Sequence, residues 1–203
     1  MGQSRQNATQ IMTETKTKAS SARPSPSRVF FKQIAFSLPD AKTHLIFWSL
    51  MAGGLALDLW TKKAIFDWLK SMETYPIIDG FLRLAIAENN GAAFNLFAGK
   101  PYFLAAISII AMVGIFAVFL FSGGLHKLVH IALGLFAAGV CGNLYDRLFN
   151  NGFVRDFIDV YRGHYHWPTF NVADSLLCIG VGLLIISTFF TEKPAQKHDQ
   201  QHK

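Results

Sequence analysis

The chain has 203 residues, 51% of them hydrophobic and only 16% charged, with a formal net charge of +6. That balance excludes an ordinary soluble surface, where about 25% of residues are charged, and no basic stripe interleaved with aromatics is present to suit a nucleic acid. The two cysteines, Cys141 and Cys178, both fall inside apolar blocks, which excludes a disulfide framework and offers no metal-binding spacing.

In chain order, residues 1–43 are rich in Ser, Thr, Gln and Lys without an apolar face, and predict a disordered cytoplasmic tail. This stretch is too long and polar for a signal-peptide n-region, and no convincing cleavage site follows it. The block 45–59, whose only charged residue is Asp58, is therefore expected as a retained span over about 44–62. Residues 64–100 end in "AENNGAAFNLF", a turn of Gly and small residues between apolar stretches, which predicts short strands at the membrane surface. The stretch 101–125 has no Asp, Glu, Lys, Arg or His and predicts a span over 101–122. The stretch 128–144 holds only His130 and predicts a span over 127–147. In 148–170, "GFVRDFIDVY" places Phe153, Phe157 and Tyr161 at helical spacing, which predicts an interfacial amphipathic helix with Asp156 near its start. A fourth span is expected over 170–190 and a cytoplasmic tail over 192–203. The expected fold is mostly α and integral to the membrane: one domain, 44–191, of four transmembrane helices with a small extracytoplasmic β-like segment and the interfacial helix.

Orientation follows from Lys and Arg. With both tails and the loop near Lys127 inside, the cytoplasmic side holds 11 Lys/Arg and 4 Asp/Glu, against 8 and 9 on the other side. Lys and Arg favour the cytoplasm, so both termini are expected inside, and the net charge reflects orientation. Trp48, Trp60, Trp68 and Trp167 lie near span ends as an aromatic belt would.

Four spans also impose a parity. The end of the first, the end of the third and the start of the fourth share one membrane face, and every charged or titrating residue within a span except His130 falls there. Asp58 and Lys62 close the first span at i and i+4; Asn143, Asp146 and Arg147 close the third; Asn171 and Asp174 open the fourth. Each has a plainer reading on its own. Asn171 and Asp174 make a capping box, and Asp58–Lys62 and Asp146–Arg147 suit interfacial ion pairs. Independent caps would scatter over both faces, however, whereas these converge on one. His164 and His166 lack a spaced third ligand and read as interfacial packing.

No Ser/His or Cys/His set accompanies the cluster. Ser175 diverges from Asp174 by about 100° on a helix, and no serine in a constrained turn accompanies Lys62. What remains is a pair of aspartates sharing a proton, one ionised to activate water and one protonated to polarise a carbonyl.

"DLWTK", "NNGAAFNLF", "GNLYDRL", "VRDF" and "FNVAD", in this order, resemble the lipoprotein signal peptidases, or signal peptidase II, over about residues 45–190. The resemblance implies an aspartic endopeptidase with Asp156 and Asp174 catalytic, and with Asp58, Lys62, Asn89, Gly91, Asn143, Asp146, Arg147 and Asn171 holding the dyad and substrate. It implies no metal or other cofactor. The implied partners are membrane lipid and a prolipoprotein whose cysteine already carries diacylglycerol, cut just before that cysteine, with sensitivity to the cyclic peptide globomycin. A multi-pass monomer is expected in a bacterial inner membrane, with its site at the extracytoplasmic face. The helix dipole favours an ionised Asp174, making it the expected water-activating base. The chain departs from the family in its longer leading tail, in Asn95 where Ser is common, in a longer "LFNNGF", and in Arg155, which is expected to lower the pKa of Asp156 if it lies close. A four-span transporter is the competing class, but neither internal repeats nor midplane polar groups in broken helices are visible.

Overall fold

The computed structural model describes residues 37–72 and 74–190. The expected tail 1–43 lies outside them up to residue 36, and the tail 192–203 lies outside them entirely. The described chain runs through helix α1 (Ala41–Leu69), strands β1 (Thr74–Ile78) and β2 (Leu82–Asn89), a 3-10 turn (Ala93–Asn95), helices α2 (Pro101–Leu120) and α3 (Lys127–Phe149), strands β3 (Val154–Arg162) and β4 (Tyr165–His166), helix α4 (Val172–Ser187) and a closing 3-10 turn (Thr188–Phe190).

Three helical stretches are long and apolar enough to cross a membrane: Pro101–Leu120, Lys127–Phe149 and Val172–Phe190. Helix α1 has the length, since 29 residues rise about 44 Å. Its second half carries Asp58, Lys62, Lys63 and Asp67, and it continues past Lys62 to Leu69.

Helix α3 is central, packing against α1, α2 and α4. Small residues permit this. A side chain at Gly134 would meet the carbonyl oxygen of Phe47 on α1, and one at Gly139 would meet the carbonyl oxygen of Ala173 and the side chain of Leu177 on α4. On α4, Gly180 is held equally close to Ala132 on α3. Close backbone approach of this kind maximises van der Waals contact, which has to drive helix association where lipid removes the hydrophobic difference. The side chain of Phe47 stacks on Phe119 at 3.9 Å between ring centres, within a core that includes Met112, Ile115, Leu133 and Val140. His130 is buried at the same end, with Nε2 2.9 Å from the carbonyl oxygen of Ser122.

The strands form one antiparallel sheet in the order β1-β2-β3-β4. The strands expected within 64–100 are β1 and β2. The interfacial helix expected in 148–170 is corrected: its core, Val154–Arg162, is strand β3. Phe153, Phe157 and Tyr161 recur every fourth residue, a spacing that satisfies the period of 2 as well as 3.6. The β-branched Val154, Ile158 and Val160 between them favour a pleated surface, and β2 supplies a ladder from Leu82↔Val160 to Asn89↔Val154. One irregularity breaks it: between Leu84↔Ile158 and Ala87↔Asp156, two residues of β2 oppose Phe157 alone, which is a β-bulge. Phe157 and Ile158 donate instead to the carbonyl of Phe170, just before α4.

Candidate active site

The second half of α1, the end of α3, the start of α4 and one strand meet around Lys62. This side chain is fully buried, and its ammonium lies 2.8 Å from Asp58 Oδ2, 3.2 Å from Asp146 Oδ2 and 3.2 Å from Asn143 Oδ1. An ammonium has three protons, and three acceptors surround this one. Asp58 uses its other oxygen to accept from the backbone N–H of Ala173 at 2.8 Å, fixing the first turn of α4 against α1. Asp146 accepts from Arg155 three times, from the backbone N–H at 3.0 Å, Nε at 3.1 Å and a terminal nitrogen at 2.6 Å. Two carboxylates and two cations thus cancel, and α1, α3, α4 and β3 are tied at one level. Burying such charges is tolerable only when all are paired.

Above this base the carboxamides relay to two further aspartates. Asn143 donates to Asp174 Oδ1 at 2.7 Å while its own oxygen accepts from Lys62 and from Asn171 at 3.1 Å. Asn171 caps α4 in a reciprocal box: its oxygen accepts from the Asp174 N–H at 3.0 Å, and its N–H donates to Asp174 Oδ2 at 3.2 Å. Its side-chain amide donates to Asp156 Oδ1 at 2.6 Å. The other Asp156 oxygen accepts from Asn89 at 3.1 Å. Asn89 in turn receives the Gly91 N–H at 2.8 Å, and the Gly91 carbonyl accepts from Arg147 at 3.1 Å. All ten residues singled out in the sequence therefore belong to one connected set spanning α1, β2, α3, β3 and α4.

Asp156 is buried, and that burial, reinforced by the negative charge of Asp174, raises its pKa to about 7 despite hydrogen bonds from Asn89 and Asn171 that favour the ionised form. The downward influence expected of Arg155 does not prevail. Successive strand residues point to opposite faces, and the Arg155 guanidinium is engaged by Asp146. Sequence reasoning missed this partner of Asp146; a strand reading of "VRDF" would have turned Arg155 away from Asp156.

The two aspartates open into a chamber of about 880 Å³. Asn89, Asn143, Arg147, Asp156 and Asp174 line its polar end, and Leu177, Cys178 and Ile179 of α4 its apolar wall. Phe94 and Trp167 meet edge to face at 5.7 Å on its border, with Phe94 held at φ +56°, an unfavourable region for a bulky residue. Among the described residues no group of three His, Cys, Asp or Glu side chains is arranged to hold a metal ion.

A mostly helical chain with three helices apolar and long enough to cross a membrane, and with two buried or half-buried aspartates bordering one chamber, fits the class of membrane aspartic peptidases. The Signal peptidase (SPase) II family model matches residues 50–190, and the chain belongs to that family. It is 40% identical to the lipoprotein signal peptidase of Photorhabdus laumondii over 157 residues, covering 75% of this chain and 93% of that one. With the lipoprotein signal peptidase of Aquifex aeolicus it shares 39% identity over 162 residues, 77% of this chain and 93% of that one. A solved structure described as a bacterial membrane enzyme superposes with a TM-score of 0.65 at 31% identity, covering 79% of this chain and 99% of that chain.

Proposed function

We propose that this peptidase removes signal peptides from diacylglyceryl-modified prolipoproteins by cutting before the lipidated cysteine, with Asp156 and Asp174 as its catalytic dyad. The observation that carries the reading is the shared carboxamide of Asn171, which donates to Asp156 and forms the capping box with Asp174, so that both carboxylates border one chamber. Helix α1 serves as the fourth span, both termini are cytoplasmic, and the sheet and dyad lie at the extracytoplasmic face of a bacterial inner membrane. The protein acts as a monomer. The polar base around Lys62 then sits near headgroup depth, and the apolar α4 wall receives the acyl chains.

In the reaction Asp156 carries the shared proton and Asp174 is ionised. Asp174 takes a proton from water as the water oxygen bonds to the scissile carbonyl carbon, and Asp156 gives its proton to the carbonyl oxygen. The tetrahedral intermediate collapses as that hydroxyl returns its proton to Asp156, the C–N bond breaks, and Asp174 delivers its proton to the leaving amine. One water is consumed, and both aspartates regain their starting states. Asn89, Asn143 and Asn171 hold the pair throughout, while Asp58, Lys62, Asp146 and Arg147 fix the elements that carry it. Gly91 contributes backbone groups to the same frame.

The test is digestion of a diacylglyceryl lipobox peptide in detergent micelles with mass analysis of both products. A fragment beginning at the lipidated cysteine, blocked by globomycin, is expected; no cleavage, or cleavage elsewhere, would overturn the reading.

A further inference from the structure

Across the wall of the chamber stands a second charged cluster that the dyad does not use. Asp159 on β3 is 2% exposed and both of its oxygens are occupied. Oδ2 accepts from Arg83 Nε at 2.6 Å, and His166 Nδ1 lies 3.0 Å from Oδ1 and 3.2 Å from Oδ2. Arg83 stands directly opposite Asp159 in the ladder, with its guanidinium 4.9 Å from the ring centre of Tyr161, and Tyr161 stacks on His166. The outer ends remain: the two terminal nitrogens of Arg83 and Nε2 of His166 have no partner among the described residues. Both side chains are partly open, at 32% and 41% exposure. With Asp159, which is far more buried, they line a cleft of about 760 Å³.

This cleft adjoins the chamber. Ala87, Trp167, Pro168 and Thr169 line both, so a chain crossing that wall passes from the dyad into the cleft. The β2 bulge at Ala85 and Ile86 opens onto the same space. A signal peptide is apolar on its side of the cut and stays with the membrane, whereas the chain beyond the cysteine is the part that leaves it.

Resting on the function proposed above, we infer that this cleft takes the polypeptide just after the lipidated cysteine and that Arg83 favours acidic side chains there. A carboxylate entering the cleft meets the free donors of Arg83, and the planar guanidinium is suited to binding it with two hydrogen bonds. Because Arg83 is partly solvated, the preference is modest, about 3- to 10-fold in kcat/KM.

The experiment compares three lipidated peptides that differ only just after the cysteine, carrying Glu, Gln or Lys, in uncharged detergent. The wild-type enzyme is expected to rank them Glu, Gln, Lys, chiefly through KM, with the Glu-to-Gln ratio shrinking as salt rises. Equal kcat/KM for all three would overturn this inference while leaving the peptidase reading intact; no cleavage of any would overturn the peptidase reading itself. Arg83→Gln is expected to bring the Glu-to-Gln ratio to about 1, and Arg83→Lys to restore part of it. An undiminished ratio in Arg83→Gln would show that the preference comes from the protein's general positive charge and would overturn the inference. The wild-type comparison decides the matter even if Arg83→Gln, by leaving Asp159 without its ion pair, fails to fold.

Discussion

Asn171 donates its side-chain amide to Asp156 at 2.6 Å and its backbone N–H to Asp174 at 3.2 Å, so one residue touches both acids of the proposed dyad. Helix α4 therefore begins where strand β3 needs it to begin. A cap worth about 1 kcal/mol as a helix start serves here as a spacer between two carboxyl groups.

Asp156→Asn and Asp174→Asn are each expected to lower kcat at least 100-fold, since general acid–base catalysis typically contributes about 10² to 10⁴. The substitutions nearly preserve shape, so substrate binding should persist. Single-turnover cleavage and a binding titration on the same purified protein check both halves.

The pKa of Asp156, about 7 against an ordinary 3.8, sets a pH dependence. An acid whose folded pKa is raised binds more protons folded than unfolded between those values. Its contribution to stability is fully present below pH 3.8 and is lost as pH rises through about 7. Denaturation midpoints of wild type minus Asp156→Asn should therefore fall across that window. Activity should decline above about pH 7 as Asp156 loses the proton that the proposed mechanism has it donate.

Lys62→Met removes the ammonium shared by Asp58 and Asp146 and leaves buried carboxylates short of a partner. A loss of about 3 to 5 kcal/mol is expected, seen as a lower unfolding midpoint in detergent. Pairing it with Asp146→Asn should cost less than the sum of the two single changes, because the substitutions share one interaction.

Gly142→Ala tests the seam. Its new methyl would press on the Asp58 carboxylate and lie 3.1 Å from Ala173 Cβ. Overpacking of this kind costs about 1 to 3 kcal/mol. Displacing Asp58 also loosens its hold on the Ala173 N–H, so activity should fall along with stability, measurable in one preparation.

The apolar blocks of α2, α3 and α4 were legible because composition and length alone mark them. The charged cluster was legible because Asp58, Lys62, Asn143, Asp146, Arg147, Asn171 and Asp174 interrupt or flank the apolar stretches of α1, α3 and α4 at positions that a four-span parity puts together. Strand β3 was not, since a four-residue aromatic spacing cannot separate helix from strand, and its pairing with β2 depends on residues 65 or more positions earlier in the chain. The Arg155–Asp146 bond was hidden for the same reason. Arg83 and Asp159 escaped notice, and His166 was read only as interfacial packing, because cross-strand register, which no local pattern states, brings Arg83 and Asp159 together.

The most direct measurement is kcat/KM for a lipobox peptide with and without its diacylglyceryl group, in the same micelles. On the proposed function, two acyl chains would anchor the scissile bond beside Asp156 and Asp174, each buried CH₂ contributing about 0.8 kcal/mol, and would confine the search to the membrane surface. The lipidated peptide is expected to be cut at least about 100-fold more efficiently. Equal values would contradict a site that reads lipid as well as sequence.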